Sequence, residues 1–229
     1  MIKFRHVSKI YETGTRALKD LSLTVNDGEF VFIAGKSGSG KSTVIKLVTG
    51  ELAPTDGLIE VNGTFLHRLK KREIPIYRRT LGVVFQDFRL LNDRNIYENI
   101  AFAQRVIGTP AAQTRKNVTR MLRLTGLSAK YKAMPYELSG GEQQKTAIAR
   151  ALVNNPEIIL ADEPTGNLDE TGSMEIMKLL LEINRMGTTV VVVTHSEKLI
   201  RELGKRVIVL DKGMIVDDIP AKTQERKEM

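Results

Sequence analysis

Short apolar runs alternate with stretches of helical spacing along most of the chain. The runs that read as strands fall at 2–7, 21–25, 30–34, 58–61, 82–85, 158–161, 189–193 and 207–210. Two of them, Ile158-Ile-Leu-Ala161 and Val190-Val-Val-Val193, are apolar without interruption. That pattern suits strands covered on both faces, as in a parallel sheet flanked by helices. Helical spacing falls at 41–49, 95–107, 111–125, 142–153, 170–186 and 197–203, with Gly108-Thr-Pro110 as a stop and restart between two of these. Strands alternating with helices predict an α/β fold.

The stretch 87–155 breaks the alternation, because it shows helical spacing and no convincing strand. It reads as a helical lobe inserted into the sheet. The expected organisation is one domain over 1–220, with an α/β core from 1–86 and 156–220 and a helical subdomain over 87–155. A polar, charged tail over 221–229 follows. No internal repeat or linker separates two independent domains.

Composition narrows the chemistry. The 229 residues, 41% apolar and 27% charged, suffice for a real core. Cysteine is absent, which excludes disulfides, a thiolate zinc site and a cysteine nucleophile. His6, His67 and His195 lie far apart, so a histidine-rich metal site is not expected. No apolar stretch approaches the roughly 20 residues that span a bilayer, and the first residues lack the apolar segment of a secretory signal. The net charge of +8 suits either an ordinary basic protein or attraction to an anionic surface. The basic residues of 67–72, 78–79 and 115–120 come without aromatic stacking partners, so nucleic acid is not an expected partner. A solvated face and a face turned to anionic lipid headgroups both remain open for them.

Phe30-Val-Phe-Ile-Ala34 reads as a buried strand, and a glycine-rich loop follows at once: Gly35, Lys36, Ser37, Gly38, Ser39, Gly40, Lys41, Ser42, then Thr43 at the start of a helix. This is the strand, G-x-x-x-x-G-K-S, helix arrangement of a phosphate-binding loop. Glycines let successive N–H groups converge on one phosphate, and the helix N-terminus adds about half a positive charge there. Lys41 is placed to reach the β- and γ-phosphates of ATP, and the Ser42 hydroxyl to ligate Mg²⁺.

A second apolar strand ends in Asp162-Glu163. Ligands of open α/β sheets sit at the carboxyl ends of strands, so both acids are expected at the phosphate site. Asp162 suits a metal ligand. Glu163 suits the base that polarises the attacking water, a role contributing on the order of 10²–10⁴ in rate.

Leu138-Ser-Gly-Gly-Glu142 resembles the signature of the ATP-binding cassette (ABC) family, usually LSGGQ. Gln86, after the 82–85 strand, resembles the Q-loop glutamine, a magnesium or water ligand. Asn167-Leu-Asp169 resembles the D-loop, His195 the switch histidine that senses the γ-phosphate, and Tyr11 the aromatic that stacks on adenine. The features occur in the family's order over essentially the whole chain. The resemblance implies a P-loop NTPase fold with a RecA-like core, an N-terminal antiparallel β-subdomain and an inserted helical subdomain. It implies ATP hydrolysis with Mg²⁺, held by Ser42, Gln86 and Asp162, and catalysis by Glu163, His195, Lys41 and Gln86. It also implies an ATP-dependent homodimer in which the signature residues Ser139, Gly140, Gly141 and Glu142 meet the nucleotide of the other subunit, with Asp169 as a further ATP-binding residue. Glu142 departs from the usual glutamine; at the first turn of a helix an acid is favourable, and it is expected to face the helix dipole and solvent.

Ser139 lies 53 positions after Gln86, too few for the long coiled coils of repair ATPases, and a single cassette argues against tandem translation factors. Asp87-Phe-Arg-Leu-Leu91, Asp93-Arg94 and Tyr97-Glu-Asn-Ile-Ala101 resemble the cell-division branch of the family. That branch implies an integral membrane partner resembling FtsX, control of cell-wall hydrolases, and a peripheral position at the cytoplasmic face of the plasma membrane. The alternative is the ATPase subunit of a lipoprotein-release or macrolide/peptide exporter. Phe88, Leu90 and Leu91 read equally as partner contacts and as core of the helical lobe.

Overall fold

The computed structural model describes residues 1–222, so of the tail expected over 221–229 only the first two residues fall within it. In chain order the elements are β1 (Ile2–Ile10), β2 (Arg16–Val25), β3 (Phe30–Ala34), α1 (Lys41–Val48), β4 (Asp56–Val61), β5 (Thr64–Phe65), α2 (Ile74–Arg78) and β6 (Leu81–Val84). There follow α3 (Ile96–Val106), α4 (Ala111–Leu124), α5 (Gly140–Leu152), β7 (Ile158–Asp162), α6 (Glu170–Arg185), β8 (Thr189–Thr194), α7 (Glu197–Leu203), β9 (Arg206–Asp211) and β10 (Met214–Ile219).

The chain divides into two compact units. Among the described residues, the first holds Met1–Asn26, Phe30–His67 and 192–222. It contains an antiparallel sheet in the order β2-β1-β4-β5 and, in a second sheet, the order β10-β9-β3. In the second sheet β3 runs parallel to β9, from Val31↔Arg206 to Ala34↔Val209. All five residues of β3 are buried, as its unbroken apolar sequence requires. β1 shows how a broken alternation is accommodated. Ile2 and Phe4 face the core, and so does Val7, which has the opposite parity. A register irregularity between Phe4 and Val7 absorbs the extra residue, with His6 at a φ of 51°. Opposite it, a β-carbon on Gly57 would lie 2.2 Å from the His6 carbonyl oxygen, so that position admits only glycine.

The second unit holds Asp27–Glu29 and Arg68–Val191. Its strands follow the order β8-β7-β6, with β6 parallel to β7 from Leu81↔Ile158 to Val84↔Ala161. Helix α5 lies directly on β6. A β-carbon on Gly82 would sit 2.9 Å from the Ala151 carbonyl oxygen and 3.1 Å from Ile159 Cγ1. Helices α3, α4 and α5 enclose an apolar interior that includes Ile96, Ile100, Val118, Met121 and Ile148. Buried Gln104 ties the three together, donating to the Val153 carbonyl at 2.9 Å and accepting from Asn117 at 2.8 Å. Asn99 does the same for the loop before α3. Its amide donates to the carbonyls of Leu91, Arg94 and Asn95 and accepts from the Leu91 N–H.

The expected elements occur, with differences at their ends and three additions: β5, α2 and β10. β10 is an edge strand whose Met214, Val216 and Ile219 are exposed beside Asp217 and Asp218, so it carries no buried alternation. α2 is five residues long, has Pro75 in its first turn and buries only Tyr77, too short to show a period. α5 starts at Gly140, not at residue 142, because Ser139 is its N-cap. Along α5, Ala151 is only partly buried, whereas Gln144 and Thr146 are fully covered. Phe88, Leu90 and Leu91 are all half-buried.

Candidate functional site

In the first unit, β3 delivers the chain into the glycine loop. Gly35, Gly38 and Gly40 have φ of 151°, 77° and 107°. Space forbids a side chain at two of them. A β-carbon on Gly35 would lie 2.2 Å from the Leu210 carbonyl oxygen, and one on Gly40 2.7 Å from that of Ala17. Helix α1 then begins with neither a side-chain cap nor an acid in its first turn, so its positive end is left for an anion. Lys41 is 7% exposed and folds back over the loop, donating to the carbonyls of Gly35 at 2.7 Å and Lys36 at 2.9 Å. The Ser39 hydroxyl is buried without a hydrogen-bond partner among the described residues. A glycine-made cradle, a cation lying across it, a spare hydroxyl and an open helix N-terminus together fit a polyphosphate.

The other expected residues of this unit gather at the same loop. Ser42 is exposed on the first turn of α1. The Tyr11 hydroxyl and Thr43 Oγ1 are in hydrogen-bond contact at 3.1 Å, which fixes the aromatic ring at that turn. His195 follows β8 and precedes Ser196, whose hydroxyl caps α7. His195, Gly35 and Lys36 line one cavity of about 550 Å³.

In the second unit, the register Val84↔Ala161 puts Gln86 and Glu163 each two residues beyond the last pair of neighbouring strands, with Asp162 between. Glu163 holds a φ of 49°, and its carbonyl accepts from the Gly166 N–H at 3.0 Å. Left-handed backbone at a residue bearing a β-carbon costs about 1–3 kcal/mol and concentrates at functional sites. Gln86 is packed on the turn after these acids. A β-carbon on Gly166 would lie 2.9 Å from Gln86 Nε2, and the Asn167 amide donates to the Gln86 carbonyl at 3.0 Å.

Ser139, Gly140 and Gly141 form the N-terminus of α5. Ser139 and Glu142 make a reciprocal capping box: the serine hydroxyl accepts from the Glu142 N–H, and the glutamate carboxylate accepts from the Ser139 N–H. Because the hydroxyl oxygen accepts within the cap, its hydrogen is left to donate outward. Glu142 lies at the helix N-terminus, where the dipole favours an acid, but meets a cation in place of open solvent. It ion-pairs with Lys130 at 2.6 Å, and that contact, with the Ser139 N–H, holds its carboxyl below the usual glutamate range. The charge that would repel phosphate is thereby neutralised. The signature residues share a cleft of about 530 Å³ with Asn167 and Asp169. Asp169 N-caps α6, accepting from the Gly172 N–H at 2.9 Å.

No sequence pattern points to Lys130, which acts from a 3₁₀ turn twelve residues before Glu142. Gln144 and Arg150 were visible only as polar residues of a helix, since what they hold is backbone and carries no sequence signal.

A family model described as ABC transporter matches residues 18–166. The chain belongs to the ABC transporter family. It is an ABC-type ATPase with the α/β P-loop fold of that family. The cassette is similar to the cell division ATP-binding protein FtsE of Bacillus subtilis (strain 168), at 49% identity over 218 residues, covering 95% of this chain and 96% of the relative. It is similar to FtsE of Escherichia coli (strain K12) at 45% over 213 residues, covering 93% and 96%. Among solved structures it resembles a dimeric ATP-binding cassette in a post-hydrolysis state bound to ADP and Pi. The two share a TM-score of 0.87 and 37% identity over 97% of this chain and 99% of that one. It also resembles cbiO1 from Clostridium perfringens, part of the ABC transporter complex cbiONQ, with a TM-score of 0.90 and 31% identity over 96% and 88%.

Proposed function

We propose that this cassette hydrolyses ATP as a homodimer to drive an integral membrane subunit resembling FtsX, and so controls cell-wall hydrolases during cell division. The observation that carries the reading is the 45–49% identity to FtsE proteins over nearly the whole chain. Among the described residues no helix is long and apolar enough to cross a membrane, so in this reading attachment to the cytoplasmic face of the plasma membrane comes through the partner.

Each residue has a role that follows from its chemistry. Tyr11 stacks on adenine. The amides of Gly35 to Thr43 and the Lys41 ammonium neutralise the β- and γ-phosphates, and Lys41 exchanges its loop carbonyls for phosphate oxygens. Glu163 orients and polarises the attacking water, and His195 donates to the γ-phosphate. Ser139, Gly140 and Gly141 offer amides and a hydroxyl to the nucleotide of the second subunit. Ser42, Gln86 and Asp162 are oxygen donors of the kind Mg²⁺ takes. Held there, the ion would supply positive charge against the charge that develops in transfer.

The partner is tested by purifying the cassette from membranes of its own cell. Recovery with an FtsX-like subunit is expected. Recovery with a lipoprotein or macrolide exporter subunit instead overturns the cell-division assignment and leaves the ATPase chemistry intact.

A further inference from the structure

Gln86 begins a loop whose backbone is held largely by side chains, beside main-chain bonds from the Arg89 N–H to the Asp87 carbonyl and from the Arg94 N–H to the Leu91 carbonyl. The chain passes through Phe88 and Arg89 at φ of 57° and 48°, two consecutive residues in the left-handed region with no glycine. Backbone of that kind persists only where its surroundings fix it. Arg150 does so: its guanidinium donates to the Phe88 carbonyl at 2.9 Å and to the Arg89 carbonyl at 2.6 Å. On the other side of Gln86, the fully buried Gln144 donates to the Phe85 carbonyl at 3.4 Å, a long contact, and to the Pro164 carbonyl at 2.7 Å. Pro164 directly follows Glu163. Gln144 Nε2 faces two carbonyl oxygens, which fixes the orientation of its amide.

Gln144 and Arg150 both belong to α5, the helix that opens at Gly140 with Ser139 as its cap. A helix of 13 residues is a rod about 20 Å long. In the proposed function, on which this inference rests, its first turn carries the residues that meet a phosphate, and its later turns grip the backbone before and after Gln86 and beside Glu163.

We infer that Gln144 and Arg150 are positioning residues, through which the signature helix sets the placement of Gln86 and of the segment after Glu163. A shift of α5 on engagement of Ser139 and Gly141 is carried by these contacts to the hydrolytic side chains. Neither residue is among those assigned to nucleotide in the proposed function, so each acts on turnover and not on ATP affinity.

The turnover test rests on ATP hydrolysis; a second measurement does not. Arg150→Met, Arg150→Lys, Gln86→Ala and the Gln86→Ala/Arg150→Met pair are compared in steady-state hydrolysis. Arg150→Met is expected to lower kcat about tenfold or more with KM for ATP within about twofold. Arg150→Lys, which retains charge and reach to one carbonyl, recovers part of the loss. The double variant is expected to be no slower than Gln86→Ala alone, since both losses pass through one side chain. Losses that multiply in the double variant, or a KM that rises as kcat falls, overturn the inference. Independently of turnover, amide exchange over 86–91 is expected to speed up in Arg150→Met and less so in Arg150→Lys, with the rest of α5 unchanged. Unchanged exchange in that segment overturns the inference even if the wild-type protein proves inactive.

Discussion

At Glu142 a single departure from the usual signature has been absorbed by a second residue. An unpaired carboxylate beside an anion site would oppose phosphate, and Lys130 removes that opposition. The sign of its pH dependence follows. Glu142 has its folded-state pKa depressed, first by the Lys130 contact and then by the Ser139 N–H. Its contribution to stability is therefore full above the ordinary glutamate pKa and is lost as pH falls through the depressed value. Thermal unfolding of wild type and Lys130→Met across pH is expected to show the largest difference near neutrality and none once Glu142 is protonated. At Lys41 the two bonds to loop carbonyls are replaceable by phosphate oxygens. ATP at 100 times its dissociation constant stabilises a protein by about 2.7 kcal/mol. That gain is expected in wild-type unfolding and is largely absent in Lys41→Ala at the same ATP concentration.

Among the elements, α5 is the one through which packing and chemistry meet. It lies so close to β6 that a methyl group at Gly82 would press on the Ala151 carbonyl and on Ile159. Gly82→Ala is expected to destabilise by about 1–3 kcal/mol, read by chemical denaturation, because neither backbone nor a β-branched core residue yields easily. Ile148→Ala, a truncation of a fully buried side chain of the same helix, is expected to cost about 2–5 kcal/mol. The strands that sit buried on both faces, β3, β7 and β8, were legible because burial on both sides demands an unbroken apolar run. The glycine loop was legible because its function constrains the residue types themselves. β10 and α2 were not, since an exposed edge and a five-residue turn of helix leave no periodicity. The ties made by Asn99, Gln104 and Arg150 were not legible either. Each holds main-chain carbonyls, and any sequence supplies those.

For the whole molecule, the two units carry different parts of the expected machinery. The first holds the phosphate loop, Tyr11 and His195, and the second holds Gln86, Asp162, Glu163 and the signature. In the proposed mechanism the phosphate loop of the first unit grips the nucleotide while the base, Glu163, belongs to the second, so retention of ATP and its hydrolysis separate by mutation. Glu163→Gln separates them most directly, because it keeps the shape of the side chain and removes the carboxylate. Hydrolysis of labelled ATP and the mass of the protein–nucleotide complex are measured together on this variant. The account predicts that it retains uncleaved ATP, turns over at least about 10²-fold more slowly than wild type, and accumulates as a dimer. Turnover at the wild-type rate would contradict it.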